Sequence, residues 1–205
     1  MHGKPGTGDA RGRGERPDWL YGTGASLVEK GVVWLTVVAA LPVIVLVEQR
    51  SGVEWQWWHW LLAVGLAADV VGGVVANSLA PAKRLYHQAP GGSSSVVQRV
   101  LRNHLAFAAL HVHPFLVVAV FPGEEWAWAA GWYVAALLGM AVVLAVPLRL
   151  KRPAAMGIAT VAVLVATAAD GPDGIAWLGP VLVLKLVVAH AVPERDPVAQ
   201  PNSGW

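Results

Sequence analysis

Residues 68–88 read ADVVGGVVANSLAPAKRLYHQ, and residues 98–115 read QRVLRNHLAFAALHVHPF. The first stretch closes one long apolar segment and the second opens the next. Between them lie Asp69, Asn77, His104, His111 and His113, inside or at the edge of segments long enough to cross a bilayer. An ionisable side chain at such a depth costs about 2.5–3.5 kcal/mol on insertion, so it usually faces a bundle interior or a polar cavity.

Composition sets lipid as the solvent of this chain. Hydrophobic residues make up 56% and charged residues 14%, well under the roughly 25% charge of a soluble domain. There is no cysteine, which excludes disulfides, thiolate metal sites and thiol catalysis. Any metal must be held by imidazole, carboxylate or amide.

Working outward, predominantly apolar windows predict an all-α polytopic membrane protein. It is expected to be a bundle of six transmembrane helices near 31–47, 55–79, 102–121, 126–147, 154–169 and 175–192. Pro42, Pro114 and Pro180 fall inside these windows, where neighbouring helices can re-satisfy freed carbonyls. The domain reading is a basic disordered tail over 1–27, the membrane domain over 28–193 and a C-terminal tail over 194–205. The first 18 residues are Gly- and Arg-rich without an apolar core, unlike a signal peptide.

Lysine and arginine are distributed one-sidedly. They fall in the N-terminal region (Lys4, Arg11, Arg13, Arg16, Lys30), the second loop and its flank (Lys83, Arg84, Arg99, Arg102), the fourth loop (Arg149, Lys151, Arg152) and the C-tail (Arg195). The three other loops hold only Arg50. With an even number of spans this places both termini at the cytoplasmic face of the plasma membrane. The basic residues serve topology, so no nucleic-acid partner is expected. Trp55, Trp57, Trp58, Trp60, Trp126, Trp128 and Trp177 open spans at the opposite face, as an interfacial aromatic belt does. Between spans two and three, 89–95 reads as a flexible Gly/Ser break and 96–102 as a helical turn on the cytoplasmic interface.

Depth sorts the polar groups. At ~1.5 Å per residue, Asp69, His111 and Lys185 share a layer near mid-membrane. Asn77, His104 and His190 lie near the cytoplasmic boundary, joined by Arg84, Tyr86 and His87. Spans one, four and five contribute almost nothing. Asp69, Gly72, Gly73 and Ala76 form a small-residue stripe. His104, Phe107, His111 and Phe115 recur on one helical face. His113 points off that face and is expected to bond a carbonyl freed by Pro114.

Two kinds of role fit these residues. Asp69 and Lys185 can neutralise each other as a structural ion pair, and His104 and His111 can be packing histidines bonded to backbone. Alternatively the column is a site, open to the cytoplasmic side. His104, His111 and His190 would then hold zinc or another divalent metal. Asp69 would be ligand or base, and Asn77 and Lys185 would stabilise developing negative charge. Arg84, Tyr86 and His87 would contact substrate at the mouth. That is a metal-dependent hydrolase, or related enzyme, on a lipid-like substrate. A proton-coupled transporter or channel, as a protomer of an oligomer, is the second class. A b-type haem protein, with His104 and His190 as axial ligands, is the third.

The layout resembles in outline the superfamily of alkaline ceramidases and progestin-type receptors, intramembrane proteins with Asp and His at the cytoplasmic side. The chain departs from that pattern: its last helix carries His190 alone where the superfamily has a paired His-x-x-x-His, and it has no Ser-x-x-x-His.

Overall fold

The computed structural model describes residues 18–88, 96–123 and 125–194. These are helical, with no strand among them. The expected flexible break at 89–95, most of the C-terminal tail and the first 17 residues lie outside the described residues.

Helix α1 is Leu27–Ser51. Ser26 caps it and exchanges hydrogen bonds with Glu29, which satisfies two of the free N–H groups of the first turn. Gly52, at φ 73°, ends it in the left-handed conformation. Helix α2 is Trp57–Ala76 and contains a π-helical turn over Ala67–Val71. Helix α3 is Ala80–His87, with Pro81 in its first turn, and α4 is Val96–Arg102. Helices α5 (His104–Ala109) and α6 (His113–Val120) are two halves of one interrupted apolar segment. Helix α7 is Trp126–Ala145, α8 is Leu148–Ala168, and α9 is Leu178–His190, whose second half, Leu184–His190, is π-helical.

Four of these, α1, α2, α7 and α8, are long and apolar enough to cross a membrane. The regions expected to hold spans three and six form shorter apolar helices, His104–Val120 with its interruption and Leu178–His190.

Burial explains the arrangement. Leu178, Leu182, Val183, Leu186, Val187 and Ala189 of α9 are all buried. A helix apolar on every side belongs at the centre of a bundle, and α9 packs against α2, α7 and α8. Helices α5 and α6 lean on α7, and α1 lies along α2. By contrast α1 and α8 present Leu35, Val38, Leu46, Val161 and Leu164 outward. Apolar residues in the centre and apolar residues outside are the signature of a bundle dissolved in lipid.

Proline decides where the third apolar segment breaks. Pro114 has no N–H and its ring excludes the helical carbonyl four residues back, so α5 stops at Ala109 and α6 restarts at His113. Pro180 likewise sits in the first turn of α9, whereas Pro42 and Pro153 lie inside the long helices α1 and α8. Of the tail expected over 1–27, residues 18–26 are described. Gly22 (φ 80°) lies flat on the Pro81–Ala82 backbone, where a Cβ would fall 2.1 Å from the Pro81 carbonyl carbon.

Candidate functional site

The break between α5 and α6 frees two carbonyls. His111 N bonds Ala108 O rather than Phe107 O, and the orphaned Phe107 O accepts from the side chain of the same histidine, His111 Nδ1, at 2.7 Å. The Ala109 carbonyl accepts from the Tyr133 hydroxyl at 2.9 Å. The expected role of His113, a bond to a freed carbonyl, is therefore filled by His111 and Tyr133. The altered backbone instead turns His113 across to α2, where its Nε2 lies 3.3 Å from Asp69 Oδ2.

Asp69 sits on the π-turn of α2. Its Oδ2 also accepts from Lys185 Nζ of α9 at 2.8 Å. The lysine reaches it across Gly73, where a Cβ would stand 2.6 Å from Lys185 Cε. The lysine side chain is 4% exposed and that of Asp69 48%. The carboxylate opens into a crevice of about 280 Å³ between α1 and α2, walled by Trp34, Val37, Gly65 and Gly72 and topped by Leu20 and Tyr21.

Asp69, His111 and His113 can each aim one ligand atom so that all lie within 4.8 Å of one another. The set suits a borderline metal. Because Phe107 O can only accept, His111 carries its proton on Nδ1, and its Nε2 lone pair is free. A backbone carbonyl fixing the far nitrogen is the usual support of a ligating imidazole. His113 Nδ1 is buried without a hydrogen-bond partner among the described residues.

A second polar layer lies toward the end of the bundle that carries α3. His190 is fully buried, stacked on Phe107 at 4.1 Å, with Tyr86 at 4.5 Å and the edge of His104 at 4.8 Å. Both its ring nitrogens lack a partner among the described residues, as do His104 Nδ1 and Asn77 Nδ2. The Tyr86 hydroxyl donates to Asn77 Oδ1 at 3.1 Å, and His87 Nε2 donates to the His190 carbonyl at 2.9 Å. Burial raises the Tyr86 hydroxyl to about 12. Burial, reinforced by the nearby His104, lowers His87 to about 4. Lys83 donates to the Ala189 and Val192 carbonyls at the end of α9, and burial lowers it to about 8.

The expected groupings are thus redistributed. Asp69 and Lys185 meet as expected, but Asn77 belongs to the other layer with Tyr86. His104, His111 and His190 do not converge: His111 joins Asp69 and His113, while His104 and His190 pair with each other. The ring of Phe107 stands between the two groups, 4.5 Å from His111 and 4.1 Å from His190. Of the expected substrate contacts, Arg84 is exposed, Tyr86 is buried and His87 is turned into the bundle. His104 and His190, the pair expected as axial ligands in the haem reading, meet edge to face with ring centroids 4.8 Å apart.

His113 is the residue that sequence reasoning misassigned. Helical phase carried through His-Val-His-Pro points it away, and only the proline-induced break reverses that. The chain matches no protein-family model, no curated protein and no solved structure.

Proposed function

We propose that this protein is an integral membrane metalloenzyme whose divalent metal is held by Asp69, His111 and His113, and that it hydrolyses a lipid-like substrate. One observation carries the reading: a carboxylate of α2 and two imidazoles at the α5–α6 break come within 4.8 Å of one another, beside a crevice. Two nitrogens and one carboxylate oxygen form a catalytic-type ligand set, which leaves a position open for water. A metal held by Asp69, His111 and His113 would supply water activation near neutral pH. Lys185 is the cation nearest the ligands and would hold developing negative charge. The apolar crevice walls fit an acyl chain better than a polar substrate.

In this reading the helices His104–Val120 and Leu178–His190 complete a six-span bundle in the plasma membrane. The basic end carrying α3 and both termini then faces the cytoplasm, in keeping with the lysine and arginine distribution. Helix α9 is shorter than a full span, and residues on either side of it complete the crossing.

Elemental analysis of protein purified without a histidine tag tests the metal. One equivalent of zinc, manganese or iron is expected. It should be lost in His111→Ala and in His113→Ala, and kept in His104→Ala. Metal retained without His113 but lost without His104 would refute this ligand set.

A second reading draws on the Lys185–Asp69–His113 chain, linked at 2.8 and 3.3 Å. The ammonium already neutralises the carboxylate, an arrangement that also suits proton-coupled transport. Metal-free protein that gives pH-dependent flux in liposomes, abolished by Asp69→Asn, would favour it.

A further inference from the structure

At the basic end, a cleft of about 340 Å³ separates α8 from the end of α9 and the start of α3. It lies apart from the Asp69 crevice and shares no lining residue with it. Its polar wall holds Lys83, Arg152 and Glu194, and its apolar wall includes Met156 and Val188. Arg152 and Met156 are four residues apart, so they lie one above the other on one face of α8. Charge is thus stacked over an apolar surface, as it must be for a ligand that straddles the membrane boundary.

The charges are specific. Two cations come from different elements. Lys83 is buried, pinned by the Ala189 and Val192 carbonyls, while Arg152 is exposed. Glu194 adds a carboxylate close enough to favour the charged form of Lys83. A guanidinium fork beside an ammonium suits a phosphate. The carboxylate opposes a purely anionic headgroup and suits one that also carries a cation.

We propose that this cleft binds a membrane phospholipid with an amine-bearing headgroup. Its phosphate lies between Lys83 and Arg152, its ammonium against Glu194, and its first acyl methylenes along Met156 and Val188. Basic pockets between membrane helices are established headgroup sites in general, and the carboxylate makes this one selective. The site is independent of the metal reading.

The test tracks the thermal unfolding midpoint of the full-length protein in detergent micelles doped with phosphatidylethanolamine, phosphatidylglycerol or phosphatidylcholine, or with inorganic phosphate added. Phosphatidylethanolamine should raise the midpoint at the lowest mole fraction. Arg152→Gln should raise the half-saturating fraction about fivefold, and Glu194→Gln should erase the preference over phosphatidylglycerol. Arg149→Gln, on the same helix end but outside the cleft, should change neither. Lys83 caps α9 and its loss can unfold the protein, so the exposed Arg152 carries the test. No lipid-dependent shift, a shift untouched by Arg152→Gln, or an equal loss with Arg149→Gln would overturn the site. A stronger response to phosphatidylglycerol would overturn the amine, and a full response to inorganic phosphate would overturn the lipid.

Discussion

Helices α1, α7 and α8 run unbroken, whereas α2, the α5–α6 pair and α9 are each interrupted. Apart from Tyr133 of α7, whose hydroxyl donates to the Ala109 carbonyl, the polar side chains named below divide the same way. On the unbroken helices Thr36, Thr160 and Thr167 return their hydroxyls to their own backbone, at Val32, Met156 and Leu164. On the interrupted ones, side chains reach across the bundle, Lys185 to Asp69 and His113 to Asp69, and the end of α9 receives His87 of α3 at its His190 carbonyl. A π-turn holds one residue more than an α-turn. It therefore shifts the phase of the residues beyond it, and it brings Lys185 and His190, five apart, toward the same side. Irregular backbone inside a membrane survives only where it is covered or lines a cavity. These interruptions are where the polar side chains Asp69, His113, Lys185 and His190 gather.

The sharpest way to break this comparison is to remove the charge the interruptions organise. Asp69→Ala leaves a lysine, 4% exposed, without its counter-ion. It should cost about 3 kcal/mol of unfolding free energy in detergent, since the buried ammonium is left uncompensated although the carboxylate itself is half-exposed. Thr160→Ala on α8 should stay within about 0.5 kcal/mol. Asp69→Asn combined with Lys185→Met should recover most of the loss, because no uncompensated charge remains. Equal costs for Asp69→Ala and Thr160→Ala would dissolve the distinction between the two classes of helix.

A milder probe uses glycine. At Gly73 a Cβ would fall 2.6 Å from Lys185 Cε, whereas at Gly131 of α7 it would meet nothing within 4 Å. Gly73→Leu should therefore cost about 1–3 kcal/mol through overpacking and displace the lysine from Asp69. Gly131→Ala should stabilise by about 0.4–1 kcal/mol by restricting the unfolded chain. Chemical denaturation of the two variants side by side checks the sign. A stabilising Gly73→Leu would mean that Lys185 does not take the route seen here.

Much of this was legible in the sequence, and the limit of legibility is physical. The helical class follows from apolar windows, and the Asp69–Lys185 pairing from matched depth and the cost of lone charges in lipid. The His190 layer was half visible, since Asn77, His104 and His190 share a depth. What could not be read is helical phase across an interruption. Depth depends on residue count and tolerates an extra residue, but phase turns by a large angle with each residue added. Hence an unbroken helical phase sets His113, next to Pro114, on the wrong face and joins His104 and His111 on one face, whereas the helix stops between them. The His-x-His-Pro sequence carried the signal, because a proline there stops the first half-helix and licenses a new one.

The smallest effect lies at the edge of the second layer and sharpens the contrast through pH. His87 is held at about 4, below its ordinary 6.5, chiefly by burial and then by the nearby His104, Lys83 and Lys151, with its bond to the His190 carbonyl partly opposing them. Between those two values the unfolded chain takes up a proton that the folded chain refuses. Stability should therefore rise with pH through the window, and the contribution should be lost as pH falls from 6.5 towards 4. His87→Gln keeps a donor for the His190 carbonyl but cannot titrate. Its unfolding midpoint should match the parent near neutral pH and fall less steeply on acidification. The same substitution cannot flatten the profile if His87 is freely solvated, since its folded and unfolded values would then coincide. Parallel acid profiles for the two proteins would place this imidazole in water, and with it the outer edge of the second layer.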